Sequence, residues 1–238
     1  MVKMSGFLGE FFGTMVLILL GVGCGATVNL KENYAHGQNW LFITLAWGMA
    51  VTFGVYIAGE MGSQGHLNPA VTIGFASAGL FAWSQVLPYI LGQLLGAFLG
   101  AAIIILYYYP QFKATSNEQG NSVGIFATGP AIANPFFNFL SECIATFFFI
   151  LILLNLGDFT TGLKPLIVGL LIMVIGQTLG GTTCFALNPA RDCMPRLAYS
   201  ILPVPHKAAA NWSYAWVPIV GPICGGILAS LVHVAING

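Results

Sequence analysis

Gly62-Ser63-Gln64-Gly65-His66-Leu67-Asn68-Pro69-Ala70 and Gly180-Gly181-Thr182-Thr183-Cys184-Phe185-Ala186-Leu187-Asn188-Pro189-Ala190 end on the same tripeptide, and an apolar run follows each. Asn is a preferred N-cap, because its side-chain oxygen accepts from backbone N–H groups of the first helical turn. Pro suits the next position, where its missing N–H costs nothing. Each tripeptide therefore reads as a helix start, with helices expected over 68–79 and 188–199. At 1.5 Å rise per residue each is roughly 18 Å long, little more than half of a ~30 Å hydrocarbon core. One Asn-Pro is an ordinary turn signal. Two in matching places predict a pair of re-entrant half-helices that meet near a membrane midplane.

The surrounding chain supports a membrane setting. Hydrophobic residues make up 57% and charged residues only 6%, against roughly a quarter charged in soluble domains. Six spans are expected, over 6–30, 41–59, 83–109, 137–156, 165–179 and 214–236. The first does not read as a cleaved signal peptide, since it lacks a strong basic flank and a cleavage site. The formal net charge is zero and there is no basic block, so nucleic acid is not an expected partner. Cys24, Cys143, Cys184, Cys193 and Cys224 lie in apolar or re-entrant segments and read as inert thiols. Asn211-Trp212-Ser213 fits a glycosylation sequon, a pattern that also arises by chance. No His/Cys/Asp/Glu group has metal-ligand spacing, and there is no phosphate loop or activated nucleophile. Neither a cofactor nor enzymatic activity is expected.

The chain reads as one transmembrane domain, 1–238, built from a first repeat (1–110), a polar connecting loop on the surface (111–134) and a second repeat (135–238). Glu10 and Thr14 recur as Glu142 and Thr146, at a separation of 132 (142 minus 10), while the Asn-Pro-Ala copies recur at 120 (188 minus 68). Each unit holds three spans, an odd number, so the second must be inverted. Inverted repeats with broken helices place a solute path between them at the midplane.

Five acids and bases inside this frame need a reason. Arg191 sits in the first turn of the second half-helix. There a cation costs about 2.5–3.5 kcal/mol on insertion scales, and the helix dipole opposes it further. Either it snorkels to the interface, or loop carbonyls hold it as a pore-lining donor that repels cations. Its position directly after Asn-Pro-Ala favours the second. Asp192 points about 100° away from Arg191 around a helix and reads as a brace for backbone or for Arg196. Glu10 and Glu142 are either proton carriers of a coupled transporter or paired braces for their re-entrant loops; their symmetric placement favours braces. His66 reads as a structural or carbonyl-presenting loop residue.

The twin Asn-Pro-Ala boxes, the two Glu-x-x-x-Thr spans and His66-Leu67-Asn68-Pro69-Ala70-Val71-Thr72 resemble the major intrinsic proteins, the aquaporin family, over nearly the whole chain. The resemblance implies an all-α membrane protein with six spanning helices and two half-helices. It also implies a pore in each protomer, a homotetramer and cytoplasmic termini. Charge alone does not orient the chain: that topology puts Lys3 and Lys164 inside but Lys31, Lys113 and Lys207 outside.

Within the family the residues look like the glycerol-facilitator branch. Trp47, Gly176, Phe185 and Arg191 match its selectivity filter, Asp192 its acid after the arginine, and Pro218-Ile219 its Pro-aliphatic pair. A small Gly176 is expected to widen the constriction, while Trp47 and Phe185 form an apolar corner for a polyol carbon chain. Asn68 and Asn188 mark the pore midplane. One departure is that Trp47 stands 21 residues before Asn68 (68 minus 47), one more than in the bacterial glycerol facilitator. The extra residue is expected to bulge between Gly59 and Gly65.

These residues imply a passive channel of a bacterial plasma membrane for glycerol, water and similar neutral solutes, in contact with membrane lipid. The same filter suits undissociated lactic acid or another small neutral metabolite. A proton-coupled secondary transporter is the reading from another class.

Overall fold

The computed structural model describes residues 6–116 and 122–237, and every described element is helical. The helices are α1 (Gly6–Asn29), α2 (Trp40–Glu60), α3 (Pro69–Ser77), α4 (Trp83–Tyr107), α5 (Tyr109–Ala114), α6 (Val123–Phe126), α7 (Pro135–Leu154), α8 (Lys164–Leu179), α9 (Pro189–Ile201) and α10 (Val217–Asn237). Five segments are long and apolar enough to cross a membrane: α1, α2, α4, α7 and the last, which a short turn at Trp212–Tyr214 extends. The remaining span, α8, has 16 residues, about 24 Å of helix. Leu87, Leu91, Leu95 and Leu99 form an exposed stripe along α4, which hydrocarbon covers at no cost because lipid tails are as apolar as leucine.

Local chemistry sets the helix starts. Asn39, Asn68, Asn134 and Asn188 are extended N-caps whose side chains accept from N–H groups of the following turn. Pro69, Pro135 and Pro189 occupy the next position in three of these four helices.

Glycines decide which helices meet. α1 lies against α4 and α7 against α10. A Cβ on Gly92 would stand 2.5 Å from the Phe7 carbonyl oxygen, and one on Gly100 would stand 2.6 Å from that of Met15. Gly96 faces the Phe11 carbonyl more closely still, and Gly225 faces that of Cys143. Between these pairs the halves interlock. Half-helix α3 packs on α10, where Gly74 and Gly226 meet, and half-helix α9 packs on α4. Spans α2 and α8 cross at Gly48 and Gly169, each within 2.5 Å of the other's carbonyl oxygen if a Cβ were added.

The connection between the halves differs from the expected surface loop. It carries α5 and α6, and Phe112, Ile125 and Phe126 are buried. The Phe112 ring stacks on Phe126 at 5.9 Å, and Phe126 leans on Tyr199 of α9 at 5.3 Å. Apolar groups from the connection pack against α9, a burial that the polar average composition of 111–134 conceals. Residues 117–121 of the connection lie outside the described residues.

Replacing Gly96 by Leu is expected to push α4 off α1. Overpacking of this kind costs about 1–3 kcal/mol or more, and it should appear as a lower unfolding temperature and poor monodispersity in detergent. Gly59, whose added Cβ meets nothing within 4 Å, should tolerate Ala in the same assay.

Candidate functional site

The two segments that precede α3 and α9 are not helical, although they lie deep in the protein. Their backbones enter the left-handed region at Leu67 (φ 52°), Cys184 (φ 65°), Phe185 (φ 39°) and Leu187 (φ 55°). Such values are uncommon for residues with a Cβ and persist where the surroundings enforce them. Two carboxylates supply that enforcement. Glu10 accepts from the backbone N–H of His66 at 2.9 Å and of Leu67 at 2.7 Å, from Gln93 Nε2 at 2.7 Å, and from the Ser63 hydroxyl. Glu142 accepts from the N–H of Ala186 and of Leu187, both at 3.0 Å. Both carboxylates are fully buried.

The two loops then meet through their asparagines. Asn68 Oδ1 accepts from Ala70 N–H at 2.8 Å, and Asn188 Oδ1 accepts from Ala190 and Arg191 N–H at 3.0 and 3.2 Å. Asn68 Nδ2 donates to the Leu187 carbonyl at 2.8 Å, and Asn188 Nδ2 donates to the Leu67 carbonyl at 2.7 Å. An amide nitrogen has two hydrogens, so each Asn retains one donor after tying the opposite loop.

A cavity of about 380 Å³ runs past these amides. It extends along α8, from Lys164 at the helix start to Phe185, which lies over Gly176 near the helix end. Apolar side chains such as Val51, Phe149 and Ile172 line it together with Asn68, Asn188, Arg191 and residues of the two loops. The carbonyls of Gly65, His66, Phe185 and Ala186 accept from no group among the described residues. The titratable side chains among the described lining residues are His66, Lys164 and Arg191, all basic.

The structure brings Trp47, Phe185 and Arg191 together on this cavity. The Arg191 guanidinium lies over the Trp47 ring at 3.9 Å, a cation–π contact, and Nη1 donates to the Phe126 carbonyl at 3.1 Å. Gly176 behaves differently from the expected wide wall. A Cβ there would meet the Phe185 ring at 2.9 Å and Thr44 Cγ2 at 3.0 Å. The space that its missing side chain leaves is therefore occupied by Phe185. The backbone at Phe185 is left-handed, with φ 39°. Trp40 fixes the ring there, edge-on to Phe185 at 5.6 Å and donating Nε1 to the Gly176 carbonyl at 3.0 Å.

Asp192 lies off the cavity. It takes Arg196 Nε and Nη2 at 2.9 and 2.7 Å, and the N–H and hydroxyl of Thr128 at 2.7 Å each. His66 Nδ1 pairs with the Thr72 hydroxyl at 3.1 Å, and its ring is packed among Phe75, Phe81 and Tyr89. After Glu60 the chain turns through left-handed glycines at Gly62 (φ 83°) and Gly65 (φ 70°). Sequence reasoning missed Ser63, Gln93, Trp40, Phe126 and Thr128. Gln93 is the one with a signal, as an amide inside an apolar helix that must find a buried partner.

Half-helices facing each other across a conduit, with polar groups aimed at the meeting point, define a membrane protein of the inverted-repeat type. The chain belongs to the major intrinsic protein family, whose model matches residues 2–233. Glycerol uptake facilitator protein 2 of Lactiplantibacillus plantarum is 69% identical over 235 residues, covering 98% of this chain and all of that one. The glycerol uptake facilitator protein of Bacillus subtilis is 47% identical, covering 97% of this chain and 84% of that one. Among solved structures, the aquaglyceroporin from Plasmodium falciparum superposes with a TM-score of 0.84 at 32% identity, covering 99% of this chain and 96% of that one. The fold is thus the six-span, two-half-helix architecture of an integral membrane protein.

Replacing Glu142 by Gln puts an NH₂ where one of two backbone N–H donors now finds an oxygen. The unmet donors should cost about 1–3 kcal/mol, read as a lower midpoint of thermal unfolding in detergent. Glu10→Gln should act alike, and neither change should create or abolish a dependence of solute flux on a pH gradient.

Proposed function

We propose that this chain is a passive channel of a bacterial plasma membrane, conducting glycerol, water and other small uncharged solutes while excluding ions and protons. One observation carries the reading: one cavity whose lining combines apolar side chains with spare hydrogen-bonding groups. A polyol combines the same two characters. Its hydroxyls, each costing a few kcal/mol if left unpaired, meet Arg191, the free loop carbonyls and the spare amide hydrogens of Asn68 and Asn188. Its carbon chain meets Trp47 and Phe185, at about 0.8 kcal/mol per buried CH₂. The names of the relatives support glycerol as cargo.

In this proposal Trp47, Phe185 and Arg191 form the selectivity filter, with Gly176 as the seat of the Phe185 ring. Asn68 and Asn188 mark the midplane. Glu10, Glu142, His66 and Asp192 support the loops. Cation and proton exclusion arises from the positive N-termini of α3 and α9 together with Arg191, the mechanism already known for aquaporin-type pores. The location of Glu10 and Glu142 behind the loops supports uncoupled flux over proton-coupled transport. Membrane lipid and three further copies of the chain, in a homotetramer, are the proposed surroundings.

Stopped-flow light scattering on proteoliposomes, with water, glycerol and lactic acid as solutes and a lumenal pH dye, tests the reading. Glycerol should equilibrate downhill without acidification; accumulation driven by a pH gradient would overturn it. Greater conductance for lactic acid than for glycerol would keep the channel and change its main cargo. Gly176→His should expel the Phe185 ring into the conduit, so glycerol flux falls much more than water flux at equal protein incorporation. Phe185→Ala should admit longer polyols.

A further inference from the structure

The segment between the halves is held against α9, and its grip centres on Thr128. All three of its hydrogen-bonding groups engage α9. Its N–H and its hydroxyl both donate to Asp192 Oδ2 at 2.7 Å, and its carbonyl accepts from Arg196 Nη2 at 2.9 Å. Asp192 and Arg196 form a fully buried ion pair one turn apart on α9. Arg196 Nη1 also holds the carbonyls of Ala210 and Asn211, at 2.6 and 3.0 Å. The pair therefore fixes Thr128 to a rigid helix rather than to another loop. Two residues earlier, the Phe126 carbonyl takes Arg191 Nη1. Phe126 itself is wedged between Phe112 and Tyr199. Arg191 Nη1 has no second acceptor among the described residues, so the placement of this carbonyl sets how the guanidinium lies on Trp47.

We infer that Thr128 is a positioning residue for solute selection: anchored by Asp192, it holds the Phe126 carbonyl where it orients the Arg191 guanidinium in the conduit. The inference rests on the filter role proposed for Arg191. Its hydroxyl is the informative group, because Thr128→Val removes that donor alone and leaves the backbone bonds to Asp192 and Arg196 in place. A guanidinium with slack in its orientation still passes water, which needs few simultaneous contacts. Glycerol must be served at several hydroxyls at once.

The test measures water and glycerol permeability per incorporated channel in proteoliposomes for the wild type, Thr128→Val, Thr128→Ser and Arg191→Val. In Thr128→Val glycerol permeability should fall about fivefold while water changes by less than about twofold, the scale expected when a positioning contact shifts a binding group by a fraction of an ångström. Thr128→Ser, which keeps the hydroxyl, should restore the wild-type ratio. A merely structural role would lower the yield of folded channel and scale both permeabilities together. Should Val prevent folding, Thr128→Ala carries the same comparison. An unchanged ratio in the Thr128 variants, with an altered ratio in Arg191→Val, overturns this inference and leaves the proposed filter standing. An unchanged ratio in Arg191→Val overturns the filter itself.

Discussion

Two stretches of backbone leave the helical state at membrane depth, and the molecule depends on how their amides are satisfied. Non-helical backbone at membrane depth survives only when protein or a water-filled cavity meets its polar groups. Here one buried carboxylate answers for each loop, Glu10 for His66 and Leu67, Glu142 for Ala186 and Leu187. A carboxylate suits the task because it only accepts, at two oxygens, and charge-assisted bonds are stronger than neutral ones. With the N–H groups drawn to that side, the carbonyls are left for the conduit.

The same division accounts for the chemistry of the cavity. Acids are placed behind the loops, and the titratable groups on the described lining are basic. In the proposed channel a passing cation would meet Arg191, Lys164 and two helix N-termini, with no carboxylate among the described lining residues to replace its hydration. A neutral molecule able both to donate and to accept meets carbonyls, amides and a guanidinium in turn. The crossed bonds from Asn68 to Leu187 and from Asn188 to Leu67 bind the loops to each other. The proposed midplane is therefore built by both halves together.

Most of the frame was legible in the sequence, because it rests on local rules. Asparagine caps, prolines after them and long apolar runs mark helix starts and spans without knowledge of tertiary structure. The two glutamates were legible as a choice between braces and proton carriers, and the structure places both against loop amides. The direction of side chains was not legible. That the Phe185 ring takes the space beside Gly176, from a backbone with φ 39°, is a tertiary arrangement that no propensity predicts. The burial of Phe126 was hidden for another reason: its apolar run, Val123 to Ala127, is short, and an average over the polar connection around it describes a surface.

The halves are alike in their carboxylates and caps but differ at the third residue after the asparagine. In α3 that residue is Val71, in α9 it is Arg191, and both are buried. Valine there needs only packing. Arginine at the positive end of a helix needs acceptors and a polarisable face, because the macrodipole and desolvation both oppose it. Its own half does not supply them. Trp47 comes from α2, and the Phe126 carbonyl comes from the connection between the halves. The buried Asp192–Arg196 pair then holds that connection against α9. A single cation in the second half-helix thus accounts for the asymmetry of a molecule otherwise built in matching pairs: once the arginine is placed at the conduit, the segment joining the halves has to fold inward to meet it.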